Sequence, residues 1–180
     1  HYHLGTCRED EFAHKVCFQP HIVYLANSSA LKIGITRIVN MPTRWLDQGA
    51  TQALPILKVG SRRLSGHLET LIGTQIADKT DWRKLLKGEA EPLNLIEQRD
   101  QILEEFAPKI QTIRDEFSQN LEFNEELEFL EHELPKEFIY PVEQYPEKIK
   151  SLNLDKTPKI RGVLHGIKGQ YLLLNIGVIN

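Results

Sequence analysis

Residues 21 to 50, HIVYLANSSALKIGITRIVNMPTRWLDQGA, decide the fold of this protein because they combine two short apolar runs with a compact turn. Residues 20–27 are mostly apolar and β-branched or aromatic, and apolar residues occupy alternate positions in residues 30–37. Both patterns are typical of strands, and the Asn-Ser-Ser segment at 27–29 is typical of a turn. The stretch therefore predicts a β-hairpin.

The sequence beyond this hairpin predicts an α+β protein. Pro42 can begin a short helix that Gly49 ends, and residues 52–60 form a third strand, which Pro55 places at a sheet edge. Ser61 can cap the next helix. The later predicted elements are a helix from Thr80 to Gly88, a long helix from Leu93 that Pro108 kinks or splits, and a hairpin within residues 159–180.

These elements predict four consecutive parts of the chain. Residues 1–21 form a Cys/His segment, and residues 22–90 form a domain with a small three-stranded sheet and flanking helices. Residues 91–134 form a helical region, and residues 135–180 form a β-rich C-terminal region.

Charge is distributed unevenly along the chain. The net charge of −3 creates no global field that attracts a polyanion. Residues 32–63, however, contain six basic residues and one acid, whereas residues 115–137 contain nine acids and one lysine. We therefore expect nucleic acid to contact the first third of the chain, and we interpret the acidic run as a solvated face.

No apolar run approaches the ~20 residues that a membrane-spanning helix needs, and no signal-peptide pattern is present. We expect a cytoplasmic protein that has no contact with a membrane.

The first part of the chain is rich in metal-binding side chains. His3 and Cys7, and then Cys17 and His21, form two pairs of the type that tetrahedral zinc favours. In the cytosol, a cysteine pair binds metal more commonly than it forms a disulfide. The alternatives are buried thiols with loop histidines, or residues left from a purification tag. Because the sequence begins with His1 rather than Met, we expect further upstream residues that could supply other zinc ligands.

The order of residues in the hairpin and the helices that follow resembles the GIY-YIG nuclease superfamily. Tyr24 lies in the first strand, Gly34 in the second, Arg44 at the start of a helix and Glu69 on a later helix. The resemblance implies a GIY-YIG-like fold in which Tyr24 helps to activate water, Arg44 binds phosphate and Glu69 holds one Mg²⁺. Lys32 takes the place of the second tyrosine, and could contact phosphate as a point charge.

A closer resemblance connects residues 5–86 with a bacterial group, domain-of-unknown-function family 2797. The matching segments are GTCRE, YLANSS, KIGITR, PTRW, DQGA and DKTDWR. The resemblance covers nearly half of the chain and implies a Cys-rich segment upstream, which favours a bound metal.

Other side chains of this region are candidates for nucleic-acid contacts. Trp82 could stack on an unpaired base, although we interpret it and Trp45 as core residues. The predicted nucleic-acid contacts are Arg37, Gln48, Arg62 and Arg63.

Three functional hypotheses follow. The first is a metal-dependent phosphodiester hydrolase with a preceding zinc module, and the second is a zinc protein that binds nucleic acid without cutting it, which Lys32 favours. The third is an interaction protein that uses the acidic and β-rich C-terminal half. Each candidate also has a structural interpretation: Tyr24 as a half-buried strand residue, Arg44 as an ion-pair partner of Asp47, and Glu69 as a solvated helix residue.

Overall fold

The computed structural model describes residues 4–76, 81–88, 90–118 and 126–180, and these ranges form an α+β protein with two antiparallel sheets. The helices are α1 (Asp10–Phe12), α2 (Thr43–Asp47), α3 (Arg62–Gly73), α4 (Trp82–Lys87) and α5 (Leu95–Ser118). The strands are β1 (His21–Asn27), β2 (Leu31–Arg37), β3 (Gln52–Val59), β4 (Leu127–Phe129), β5 (Lys136–Glu137), β6 (Leu164–Lys168), β7 (Tyr171–Leu174) and β8 (Gly177–Ile179). A π-helical segment at Ala13–Cys17 follows α1, and a 3-10 turn at Ile38–Asn40 follows β2.

The first sheet contains the predicted hairpin. β1 and β2 pair from His21 opposite Arg37 to Asn27 opposite Leu31. The strand order is β2-β1-β3-β4, with β5 also paired to β3. β2 is therefore the outer strand on one side of this sheet.

The prediction that β3 is an edge strand was wrong. β3 pairs with β1 on one side, and on the other side with β4 at residues 57–59 and with β5 at residues 52–53. Pro55 lies between these two short pairings, so its missing N–H costs no hydrogen bond there. The sheet thus has five strands rather than three, and the predicted helical region 91–134 contains β4.

Most of the predicted helix ends are confirmed. The Ser61 side chain accepts a hydrogen bond from the Leu64 N–H at 3.1 Å and caps α3. Gly49 and Gly88 follow α2 and α4 with positive φ values of 68° and 73°. Asp81 caps α4, because its carboxylate accepts hydrogen bonds from two backbone N–H groups of the first turn. Thr80 lies outside the described residues.

The predicted split at Pro108 does not occur, because α5 is one helix from Leu95 to Ser118. Phe106 and Ile110, on either side of the proline, are both buried in the core that α5 shares with α3 and the sheet. Burial of this apolar stripe outweighs the hydrogen bond that Pro108 cannot donate.

The sheet is covered on both faces. Val23 and Leu25 of β1 belong to the core that contains α3 and α5. Tyr24 belongs to a second cluster, with Trp45 of α2, because successive residues of a strand point to opposite faces. Trp45 is fully buried, as expected of a core residue, and Trp82 packs at the edge of a third cluster.

The C-terminal part forms the sheet β6-β7-β8, which contains the predicted hairpin and one further strand. Leu173 and Val178 of this sheet share a buried cluster with Leu85 and Leu86 of α4. The preceding segment contacts the end of α2, since the Tyr140 hydroxyl donates to the carbonyls of Leu46 and Ala50. None of the helices within the described ranges is both long and apolar enough to cross a membrane.

Candidate active site

Tyr24 lies at the centre of the candidate site, in β1 directly opposite Gly34 of β2. Its side chain is fully buried, and its ring passes over Gly34 toward the outer strand of the sheet. A Cβ at residue 34 would come within 2.7 Å of the phenol carbon and oxygen. The glycine of the Ile-Gly pair therefore provides the space that the Tyr24 ring occupies.

Helix α2 and the turn after it hold the ring in place. Trp45 meets Tyr24 edge-on, with 5.7 Å between the ring centroids. The Tyr24 hydroxyl donates a hydrogen bond of 2.8 Å to the side-chain oxygen of Gln48. The sequence suggested Gln48 as a nucleic-acid contact. Its position directly before Gly49, which ends α2, was the only sequence signal that Gln48 belongs to a turn.

Two charged side chains approach the same phenol. Burial is the main cause that raises the pKa of Tyr24, and the carboxylate of Glu69 also raises it. The nearby guanidinium of Arg44 and the bond to Gln48 act in the opposite direction, but the pKa remains above its usual value. The Tyr24 phenol is therefore protonated at neutral pH. The structure thus brings together Tyr24, Arg44 and Glu69, which come from a strand and two different helices.

Arg44 and Glu69 differ in their exposure. Arg44 is exposed on the first turn of α2, and within the described ranges it forms no ion pair with Asp47. Glu69 is half-buried on α3 and so is not the fully solvated helix residue of the structural interpretation. A ligand can reach Arg44 from solvent, whereas Glu69 is held beside the sheet.

Lys32 lies on the same face of β2 as Gly34, two residues before it and opposite Ala26. It is 9% exposed. Lys32 is thus a buried lysine about 7 Å along the strand from Gly34.

The four predicted nucleic-acid contacts do not all lie in one place. Gln48 is bound to Tyr24, as described above. Arg37 ends β2 opposite His21, and Arg62 begins α3. Arg63 instead stacks on Phe117 of α5, with its guanidinium carbon 4.7 Å from the ring centroid.

The structure describes three of the four predicted zinc ligands. Cys7 and Cys17 line one cavity of about 610 Å³, and both are free thiols. His21 is not part of that lining, because it is buried in β1 with its Nδ1 2.6 Å from the Gln19 carbonyl oxygen. His3 lies outside the described residues. In the part of the chain that the structure describes, no three His, Cys, Asp or Glu side chains are grouped as a metal site, so zinc stays a prediction.

Comparison with known families identifies a family for this chain. The family model described as "Protein of unknown function (DUF2797)" matches residues 1–180. The match therefore extends well beyond residues 5–86, on which the sequence resemblance rests. Neither the curated proteins nor the solved structures contain a significant match to the chain.

Proposed function

The chain belongs to this family of unknown function, and we propose that it is a metal-dependent phosphodiester hydrolase that acts on nucleic acid. In this proposal residues 22–90 are a GIY-YIG-like domain, and the site lies around Tyr24. One observation carries the proposal: a buried phenol is hydrogen-bonded by Gln48 and approached by both Arg44 and Glu69.

Arg44 is the phosphate-binding group of the proposal. Its planar guanidinium can donate two parallel hydrogen bonds to phosphoryl oxygens. Because the side chain is exposed, a backbone phosphate can reach it without displacing part of the protein. Charge that develops on the phosphoryl oxygens would then be stabilised by a fixed cation.

Tyr24 acts as a neutral positioning residue rather than as an anion. Its proton points to the side-chain oxygen of Gln48, and the Arg44 side chain hydrogen-bonds to its hydroxyl. Because the phenol is fully buried, it does not contact the attacking water. Its contribution is to orient the Arg44 guanidinium toward the phosphate.

Glu69 is the group that would hold a divalent cation. A half-buried carboxylate beside a neutral phenol offers hard oxygen donors, which suits Mg²⁺ bound by one carboxylate and several waters. When bound, such an ion neutralises phosphoryl charge and lowers the pKa of bound water.

A second function, nucleic-acid binding without cleavage, is favoured by Lys32. Lys32, on the same face of β2 as Gly34, adds a cation where the resemblance implies a second tyrosine. A cation strengthens phosphate binding, but it supplies no hydroxyl to orient a water.

The test is cleavage of end-labelled DNA and RNA oligonucleotides, single-stranded and duplex, with Mg²⁺ or Mn²⁺. We expect Arg44→Ala with Glu69→Gln to abolish cleavage, while the circular dichroism spectrum and the melting temperature stay close to those of the wild type. Arg114→Ala with Glu104→Gln is the matched control, because it makes the same charge changes on exposed residues of α5. Cleavage that persists in the first double variant refutes the site. Salt-dependent binding by a wild type that never cleaves selects the second function.

A further inference from the structure

Helix α3 and strand β2 form a seam along the outer edge of the first sheet. Gly73, at the end of α3, lies beside Ile33, because a Cβ at residue 73 would be 3.6 Å from the Ile33 side chain. Arg62 begins α3 and Arg37 ends β2. The helix therefore runs antiparallel to the strand, and both arginines lie at the same end of the seam.

Along both α3 and β2, the arginine end of the seam lies at about the same distance from residues of the candidate active site. Arg62 and Glu69 are seven residues apart on one side of α3, which corresponds to two turns and about 10 Å. Arg37 and Gly34 are three residues apart on β2, which also corresponds to about 10 Å.

The arginine end of the seam is positively charged. Arg37 pairs in register with His21, which is 2% exposed. On the other side of β1, His21 pairs with Val59 of β3, and Arg62 follows Val59 by three residues, so both arginines lie at the His21 end of the sheet. Within the described ranges neither arginine forms an ion pair with an acidic side chain. Like charges held together without an acid favour a bound anion.

Gly66 lies between Arg62 and Glu69 on α3. Glycine is unfavourable inside a helix, and packing does not require it here, because a Cβ at residue 66 would approach only the Arg62 guanidinium, at 4.0 Å. The Arg62 guanidinium therefore lies over the helix surface at residue 66, on the side of α3 that carries Glu69.

We propose that Arg37 and Arg62, with His21 between them, form a second phosphate site that binds the backbone of the same nucleic-acid strand. Along β2 the site lies about 10 Å from the level of Tyr24, on the face of the sheet that α3 covers, so a strand bound at both sites would follow the outer edge of β2. The proposal rests on the proposed function for the identity of the ligand, but not for cleavage.

The test is binding of a fluorescent 20-nucleotide strand to the full chain in EDTA, followed by anisotropy at several salt concentrations. We expect Arg37→Gln and Arg62→Gln each to weaken binding about tenfold and to reduce the slope of log K against log salt by about 0.7 to 0.9. The double variant should lose the same slope as either single variant, because both arginines hold one phosphate. Arg114→Gln should leave the affinity unchanged, because Arg114 is an exposed residue of α5.

Several results would overturn this site. Equal losses for Arg62→Gln and Arg114→Gln would indicate diffuse charge. Unchanged binding in the Arg37 and Arg62 variants would refute the site even if the wild type cleaves. Complete displacement by 10 mM inorganic phosphate at constant ionic strength would indicate a site for free phosphate. Conversely, loss of binding in these two variants supports the site even if no metal produces cleavage. The binding assay therefore tests the second phosphate site, and the cleavage assay tests the hydrolase proposal.

Discussion

The candidate active site and the cavity around the cysteines both contain side chains that we expect to bind an ion, but different elements hold them. At the candidate active site, Tyr24 is fully buried and lies between Gly34, Trp45 and Gln48. At the cavity, Cys7 and Cys17 are half-buried; Cys7 precedes α1, Cys17 ends the π-helical segment, and these two helical segments contain one buried residue, Ala13. Packing against several elements therefore fixes the position of Tyr24 more tightly than closeness in sequence fixes the positions of the cysteines.

The largest expected effect on the candidate active site comes from filling the space under the Tyr24 ring. We expect Gly34→Ala to lower the free energy of unfolding by about 1–3 kcal/mol, as overpacking does, and to abolish cleavage. Gly66→Ala is the control, since it adds the same methyl group to an open helix position and should stabilise by about 0.5–1 kcal/mol. Urea denaturation measures both changes. Equal stability of Gly34→Ala and the wild type would show that Tyr24 does not need this glycine.

The next largest effect comes from removing the partner of the phenol. We expect Gln48→Leu to destabilise the protein by about 1–3 kcal/mol, because the buried Tyr24 hydroxyl then lacks an acceptor. Tyr24→Phe combined with Gln48→Leu should recover part of this loss. A double-mutant cycle from denaturation curves measures the coupling, and additive single effects would contradict the pairing.

A smaller effect is expected at high pH. Because the pKa of Tyr24 is raised in the folded state, the unfolded chain ionises this group first, at about pH 10. The contribution of Tyr24 is therefore fully present below pH 10 and is lost as the pH rises toward the folded pKa. We expect the difference in stability between the wild type and Tyr24→Phe to be constant from pH 7 to 9 and to fall above pH 10. A difference that rises above pH 10 would mean that the phenol ionises easily in the fold.

The smallest effect on the candidate active site is expected from substitutions in the cysteine cavity. We expect Cys7→Ser with Cys17→Ser to remove bound zinc, measured by mass spectrometry of the purified protein. Oligonucleotide binding should not change, because different residues position the cysteines and the candidate active site. Zinc that remains in the double variant would exclude the two cysteines as its ligands.

Several features of the fold follow from local sequence alone. A continuous apolar run determines β1, alternating apolar residues determine β2, Ser61 begins α3, and Gly49 and Gly88 end two helices through their positive φ. Each depends on neighbours in the chain, so the local pattern is enough to predict it. The order of Tyr24, Arg44 and Glu69 suggested a site only through its resemblance to the GIY-YIG superfamily.

Other features depend on residues that are distant in the sequence. β4 and β5 join the sheet through pairing with β3, and the core beside Pro108 keeps α5 continuous. The bond from Tyr24 to Gln48 joins a strand to a turn 24 residues later. Sequence determined which residues could form strands, caps and a phosphate site. Only tertiary packing decided which of them meet, because burial and long-range pairing depend on the whole fold.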